Sequence, residues 1–223
     1  TYFDALRYII GFFNPIKVSF IVVGAQKSGT TALYHFLSQH PELSLSRIKE
    51  TNFFSTDKFW KNGESYDLYQ KFFKVHFKKV KYGEVSPSYM LNHNLVAPRI
   101  AKYNPNIKLI FILKNPVERA FSQYKMHVNR YNLNLSFSAC LQIALNQNQT
   151  GIVLDKKNPV TRNGSTRVLK QYIGFGKYVE QIRTFKKFFK PNQILFILTE
   201  DLLNHHEETM KNIYNFLNVS HLN

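Results

Sequence analysis

The stretch that decides the fold is Val18–Leu37, VSFIVVGAQKSGTTALYHFL. It begins with six apolar or small residues rich in β-branched types, a run too short for a helix and typical of a buried strand. Gly24 ends that run, and apolar residues then recur at helical spacing from Ala32. The stretch therefore predicts a strand, a tight glycine turn and a helix. Such a turn directs free backbone N–H groups and the positive end of the helix dipole at one point, which binds phosphate or sulfate.

The glycine spacing of this turn is that of the nucleotide triphosphatase loop, G-x-x-x-x-G-K-[ST]. Gly24 and Gly29 fit the spacing, but a threonine stands where the lysine is required, and the nearest lysine is Lys27, inside the loop. No Asp, the usual magnesium partner, closes the later apolar strands, which are followed by Lys114 and Thr199. A metal-dependent P-loop kinase is therefore an alternative that the sequence disfavours.

Predicted strands and helices alternate along the chain, which indicates a three-layer α/β/α fold with a central parallel sheet, like that of P-loop nucleotide triphosphatases. The further predicted strands are 81–84, 107–113 and 193–198, and the further predicted helices are 1–17, 55–81, 94–103, 116–128, 136–147, 168–189 (with a break at 174–176) and 200–217. Residues 148–166 are predicted to form a long surface loop. The length of 223 residues suits a single domain, residues 1–223,.

The net charge of +16 indicates an anionic ligand or acceptor, attracted by the field of the protein,. A merely basic surface and a non-catalytic module that binds polyanions are alternatives. We find no nucleic-acid recognition motif and no apolar run long enough for a membrane span. The one cysteine, Cys140, excludes an internal disulfide and favours a reducing compartment,. The predicted location is cytoplasmic, or the Golgi lumen if a leading membrane anchor has been removed.

Three segments of this chain resemble segments of the sulfotransferases that use 3′-phosphoadenosine 5′-phosphosulfate (PAPS), and they occur in the same order as in that family. GAQKSGTTAL, from Gly24, resembles their 5′-phosphosulfate loop. KETNFF, Lys49–Phe54, resembles the acidic motif of the heparan-sulfate-type branch, and LKNPVERAFSQY, Leu113–Tyr124, resembles the strand, loop and helix that bind the 3′-phosphate. The resemblance implies the sulfotransferase fold, PAPS as cosubstrate and adenosine 3′,5′-bisphosphate (PAP) as product. In the family, a loop that closes over the cofactor is expected after the last helix. The sequence ends at Asn223 before such a segment, so we expect that it is truncated there.

The resemblance also implies the residues that hold PAPS. The predicted contacts are Gly24, Lys27, Ser28, Gly29, Thr30, Thr31, Lys114, Arg119 and Ser122. Lys27 is expected to stabilise the leaving group, since a lysine at the bridging oxygen neutralises its charge. Lys114 stands where the family has arginine, which keeps the charge and loses the two-pronged contact with phosphate. Arg119 is expected to assist Lys114, or to pair with a nearby glutamate.

Glu50 is the predicted general base, because it matches the catalytic glutamate of the heparan-sulfate-type enzymes. A purely structural pairing of Glu50 with a neighbouring lysine is the alternative, and His40 and Glu84 are the next candidates for the base. The predicted acceptor-binding residues are Lys49, Glu84, Ser86 and Tyr89. The histidines lack metal-ligand spacing, so no metal is predicted. The implied activity is metal-independent sulfuryl transfer to a hydroxyl or amine of a glycan or small metabolite.

Overall fold

The computed structural model describes residues 16–59, 66–76, 78–131, 133–145 and 167–222, without the side chains of 167–170. These residues form two compact units: one comprises those up to Leu113 and from Gln181 on, and the other those from Lys114 to Glu180. The single domain stays a prediction. The surface loop predicted for 148–166 lies outside the described residues, as does the helix predicted for 1–17, apart from its last two residues.

The first unit is built on a five-stranded sheet in which every described pairing is parallel. The strands are β1 (Val18–Gly24), β2 (Leu43–Leu45), β3 (Lys81–Val85), β4 (Lys108–Leu113) and β5 (Ile194–Leu198), in the spatial order β2-β3-β1-β4-β5. Val22 of β1 lies opposite Val85 and Ile110 in the register of the two neighbouring strands. The segments that leave the carboxyl ends of β1, β2 and β3 therefore emerge at one edge of the sheet.

Helices of the first unit cover both faces of the sheet. They are α1 (Thr30–Ser38), α2 (Tyr66–Gln70), α3 (Ser88–Leu91), α4 (His93–Tyr103), α9 (Thr199–Asn204) and α10 (His206–Leu217), with 3₁₀ turns at Phe53–Ser55, Asp57–Phe59 and Pro191–Gln193. Ile110 packs in one core cluster with Leu33 and Ile213, from α1 and α10. Phe111 points to the opposite face, because side chains alternate along a strand, and its ring contacts Phe185 with centroids 5.3 Å apart. The three-layer α/β/α prediction is confirmed.

The second unit is helical in its described part. Its helices are α5 (Pro116–Tyr131), α6 (Phe137–Leu145) and α7 (Arg167–Gly174), followed by the start of α8 (Tyr178–Lys186). Ala120, Cys140 and Tyr172 belong to its apolar cluster. The sequence predicts a break at Gly174–Gly176, and this is confirmed because α7 ends at Gly174 and α8 begins at Tyr178.

Other predicted boundaries are wrong. The helix predicted for 55–81 is, in its described part, only one 3₁₀ turn, the five residues of α2 and irregular stretches at 71–76 and 78–80. Tyr69 of this segment contacts Phe73 and stacks on Phe53, which precedes the segment, with the ring centroids of Tyr69 and Phe53 4.5 Å apart. The helix predicted for 200–217 is divided at His205 into α9 and α10. Strand β2 was not predicted.

Candidate active site

The loop between β1 and α1 has the geometry of an anion-binding turn. Gly29 has φ 91°, in the left-handed region that glycine adopts without strain, and it immediately precedes α1,. A Cβ on Gly24 would lie 2.6 Å from the Cβ of Met90, so the backbone there has no room for a side chain. Within the described chain, the amides of Gly29, Thr30 and Thr31 donate to no backbone carbonyl. These free donors at a helix N-terminus suit a phosphate or sulfate group.

Ser28 and Thr199 fix the middle of this loop. The Ser28 side chain is fully buried, and its Oγ has no hydrogen-bond partner among the described residues. The Thr199 hydroxyl is shared between the carbonyl oxygens of Ser28, at 2.8 Å, and Leu113, at 3.0 Å. Thr199 thus ties the loop to the end of β4, a role that the sequence did not indicate. An unsatisfied buried hydroxyl beside free amides fits a phosphate ligand.

Lys27 lies in the same loop, in a strained conformation. Its φ is 70°, a region that non-glycine residues seldom adopt and that often marks functional sites,. Partial burial lowers the pKa of its ammonium group, and the charge of Lys49 lowers it further. The described chain provides no ion-pair partner for Lys27. Its positive charge is therefore available to a bound anion.

Glu50 pairs with Lys49, whose charge acts on Lys27, and it lies on the segment that follows β2. Its Oε1 accepts a bond of 2.7 Å from Lys49 Nζ, and its Oε2 has no partner among the described residues. The side chain is 34% exposed, which leaves it accessible to an acceptor. Like Lys27, Glu50 has a positive φ, here 64°. The structure thus brings Lys27, Lys49 and Glu50 into one electrostatic cluster, and it also contains the Lys49 pairing foreseen as the structural alternative.

Hydrogen bonds hold the turn that contains Glu50 against the end of β3. The Glu50 amide donates to the Val85 carbonyl at 3.0 Å. Asn52, with φ 52°, donates from its side-chain amide to the Glu50 carbonyl at 3.0 Å and accepts a bond from the Ser88 hydroxyl. The Thr51 hydroxyl donates to Glu84. Sequence reasoning missed Thr51 and Asn52, because only the fold shows what their side chains contact.

Three of the predicted acceptor-binding residues do not line an open cleft. Glu84, Ser86 and Tyr89 are all fully buried. Burial raises the pKa of Glu84 to about 7 against the opposing effect of its hydroxyl neighbours, Thr51 first among them. We correct the prediction for these residues, because groups without exposed surface support the turn above them and do not meet an acceptor directly. The same burial removes Glu84 as the alternative base.

His40, the other alternative base, is also unavailable. Its ring is buried at the end of the segment that follows α1. Its Nδ1 accepts the Glu42 amide proton at 3.1 Å, and its Nε2 lies 2.9 Å from the Ser220 carbonyl oxygen. Both ring nitrogens are therefore engaged in structural bonds.

The predicted 3′-phosphate residues belong to the second unit. Lys114 Nζ lies 3.2 Å from a Glu118 carboxylate oxygen, and Ser122 is half-buried on α5. Arg119 is fully buried: one Nη donates to the Gln123 side chain at 2.9 Å and the other to the Tyr172 carbonyl, while Nε has no hydrogen-bond partner in the part of the chain that the structure describes. Burial lowers the pKa of Arg119 to about 10. Because its Nη groups are used within the unit, we correct the prediction that Arg119 binds the cofactor.

The described residues contain no group of three or more His, Cys, Asp or Glu side chains arranged to hold a metal ion. None of the helices in the described ranges has the length and apolar character needed to cross a membrane.

Comparison with known sequences adds the family. The family described as "Sulfotransferase domain" matches residues 17–223. The chain is 36% identical over 121 residues to the membrane-associated sulfotransferase kil1 of Dictyostelium discoideum, a match covering 53% of this chain and 25% of that protein. It is 29% identical over 206 residues to the bifunctional heparan sulfate N-deacetylase/N-sulfotransferase 1 of Xenopus laevis, covering 90% of this chain and 22% of that protein. The chain therefore spans about a quarter of the length of these relatives.

Solved structures show the same fold. A sulfotransferase from Alicyclobacillus acidocaldarius superimposes with a TM-score of 0.74 at 27% identity, covering 92% of this chain and 82% of that one. Mouse sulfotransferase SULT7A1, complexed with PAP, superimposes with a TM-score of 0.56 at 16% identity, covering 96% and 64% of the two chains. The family match, the fold and the loop geometry agree, and the chain belongs to the sulfotransferase domain family.

Proposed function

We propose that this protein transfers a sulfuryl group from PAPS to a hydroxyl or amine of a glycan or small-metabolite acceptor. The observation that supports this most directly is the cluster at the β1–α1 loop. Lys27, which has no ion-pair partner among the described residues, lies in the same loop as the free amides, and the charge of Lys49, the partner of Glu50, acts on it. The cluster thus combines an anion-binding turn, a cation for a leaving group and a carboxylate that can accept a proton.

Each residue of the site has a separate role in the proposed transfer. PAPS supplies the sulfuryl group, whose bond to the bridging phosphate oxygen breaks as a bond from sulfur to the acceptor oxygen or nitrogen forms. Lys27 neutralises the charge that develops on that leaving oxygen, which is the kind of stabilisation that acts mainly in the transition state. Glu50 takes the proton that the acceptor loses. The amides of Gly29, Thr30 and Thr31 and the Ser28 hydroxyl are the proposed ligands of the 5′-phosphate.

Two further observations support PAPS as the cosubstrate. The family match covers residues 17–223, and a fold relative was solved with PAP bound. Lys114 and Ser122 are the proposed 3′-phosphate contacts, and the bond between Lys114 and Glu118 has to open for that role, at little cost because Glu118 is 61% exposed,. The same family match argues against the metal-dependent kinase and the non-catalytic polyanion-binding module.

A basic segment between α2 and β3 favours an anionic acceptor. Four lysines between α2 and β3 are exposed, and none is in an ion pair in the described chain: Lys71, Lys74, Lys78 and Lys79. This segment contacts the chain that follows β2 and leads to Glu50, because the Arg47 amide donates to the Phe72 carbonyl at 2.8 Å. The relatives that act on heparan sulfate agree with a charged glycan as acceptor.

Thermal unfolding with different nucleotides tests the proposal. PAP should raise the melting temperature, since a ligand at a hundred times its Kd adds about 2.7 kcal/mol to the free energy of unfolding. ATP with Mg²⁺ should raise it far less at the same concentration. Stabilisation by ATP with Mg²⁺ and none by PAP would support the kinase, and stabilisation by polyanions alone would support the binding module.

A further inference from the structure

We propose that Glu84 is a positioning residue for the transfer: its carboxylate holds, through the Thr51 hydroxyl, the turn that presents Glu50. Glu84 touches neither reactant, because it is fully buried on β3 beneath the turn. The inference rests on the proposed function, in which Glu50 accepts the proton of the acceptor.

Thr51 is the link between the buried carboxylate and the turn. Its hydroxyl donates to Glu84 Oε2 and accepts the amide proton of Phe53 at 3.3 Å, so it connects β3 to the residues on both sides of Asn52. The Tyr89 hydroxyl lies 3.3 Å from the Thr51 hydroxyl oxygen, and it accepts the amide proton of Phe54 at 3.1 Å. The turn is thus fixed by side chains that are themselves buried.

The turn needs such support because its backbone is strained. Glu50 and Asn52 both have a positive φ, at 64° and 52°, although neither is glycine. Conformations of this kind persist only when surrounding contacts enforce them. A bond from a hydroxyl to an ionised carboxylate is stronger than one between neutral groups. Glu84 therefore supports the turn best when it is ionised.

The surroundings of Glu84 place that ionisation near neutral pH. The titratable groups that face it are the hydroxyls of Tyr69 on α2, Tyr89 on α3 and Tyr103 on α4, and among the described residues no cation acts on it. Burial raises the pKa of all three tyrosines, so they remain protonated. Within the described ranges Glu84 Oε1 has no hydrogen-bond partner, and burial raises the pKa of this carboxyl to about 7. Its support for the turn therefore weakens as the pH falls through 7.

The test compares Glu84→Gln, Thr51→Val and Thr51→Ser with the parent protein and with Thr209→Val, a matched change at a buried threonine of α10. Hydrogen exchange of the amides of residues 50–54 is the readout that needs no substrate. The kcat, the KM for PAPS and the pH profile of kcat are the readouts of transfer.

We expect Thr51→Val to lower kcat about tenfold or more, as for the loss of one bond to a charged group, with a nearly unchanged KM for PAPS. Exchange of the turn amides should accelerate by about the same factor. Thr51→Ser should restore both, and Thr209→Val should alter neither. The parent should lose kcat below about pH 7 more steeply than Glu84→Gln, whose side chain does not titrate.

A role limited to stability would lower the melting temperature of Glu84→Gln and leave its pH profile superimposable on that of the parent, which would overturn the proposal. Unchanged exchange of residues 50–54 in Thr51→Val would also overturn it. Faster exchange in a protein without any transfer activity would leave Glu84 as the support of the turn and would contradict the proposed function instead.

Discussion

Replacement of Glu84 by glutamine should change how the stability of the protein depends on pH. Burial raises the pKa of this carboxyl from 4.5 to about 7 in the folded chain. Between those values the folded state retains a proton that the unfolded state releases, so stability falls as the pH rises. One pKa unit corresponds to about 1.4 kcal/mol, which gives a loss of about 3 kcal/mol across this window. Glutamine does not titrate and should not show this loss.

The assay is urea unfolding of the parent and of Glu84→Gln at pH 4.5 and pH 8, with the free energy of unfolding extrapolated to water. The free energy of unfolding of the variant minus that of the parent should be about 3 kcal/mol larger at pH 8 than at pH 4.5. Other titrating groups are common to both proteins and cancel. Glu208→Gln, at an exposed carboxyl on α10, is the control and should show little shift. A shift below about 1 kcal/mol for Glu84→Gln would refute the reasoning.

Three further predictions concern the transfer itself. Lys27→Ala should lower kcat much more than it weakens PAPS binding, because the leaving-group charge develops only in the transition state; an unchanged kcat with a raised KM would make Lys27 a simple binding group. Lys114→Ala should weaken PAPS binding about ten- to a hundredfold, as expected for the loss of a charge-assisted hydrogen bond, while Lys114→Arg should preserve or strengthen it. If the alanine variant bound PAPS as well as the parent does, the assignment of Lys114 to the 3′-phosphate would be refuted. Activity should survive EDTA, and a loss that Mg²⁺ reverses would support metal-dependent chemistry.

The central part of the fold was predictable because its signals are local. The β-branched run of β1, the glycine turn and the apolar spacing of α1 each depend on a few consecutive residues. Strand β2 was missed because three residues, Leu43–Leu45, are too few to form a pattern. The aromatic residues of 55–81 have helical spacing, but Tyr69 contacts Phe73 and also packs against the rings of Phe53, Phe54 and Tyr103 from outside the segment. In the described part of the segment the periodicity therefore reflects burial and not a continuous helix.

Motifs in the sequence led to residues that lie in one electrostatic cluster, and their roles in the transfer stay predictions. Lys27, Lys49 and Glu50 were proposed from their motifs, and the structure places them together. Glu84 and Arg119 were proposed as ligand-binding groups, yet both are buried, because burial depends on contacts between distant segments. Thr51, Asn52 and Thr199 were missed for the same reason. The cytoplasmic location stays a prediction.

The most direct test of the proposed mechanism is the kcat of Glu50→Gln, a change that keeps the shape of the side chain and removes its capacity to accept a proton. Base catalysis typically contributes a factor of about 10²–10⁴, so kcat should fall by that amount. The affinity for PAP, measured on the same protein, should remain nearly unchanged. A variant that retains more than about a tenth of the parental kcat would contradict the assignment of Glu50 as the base.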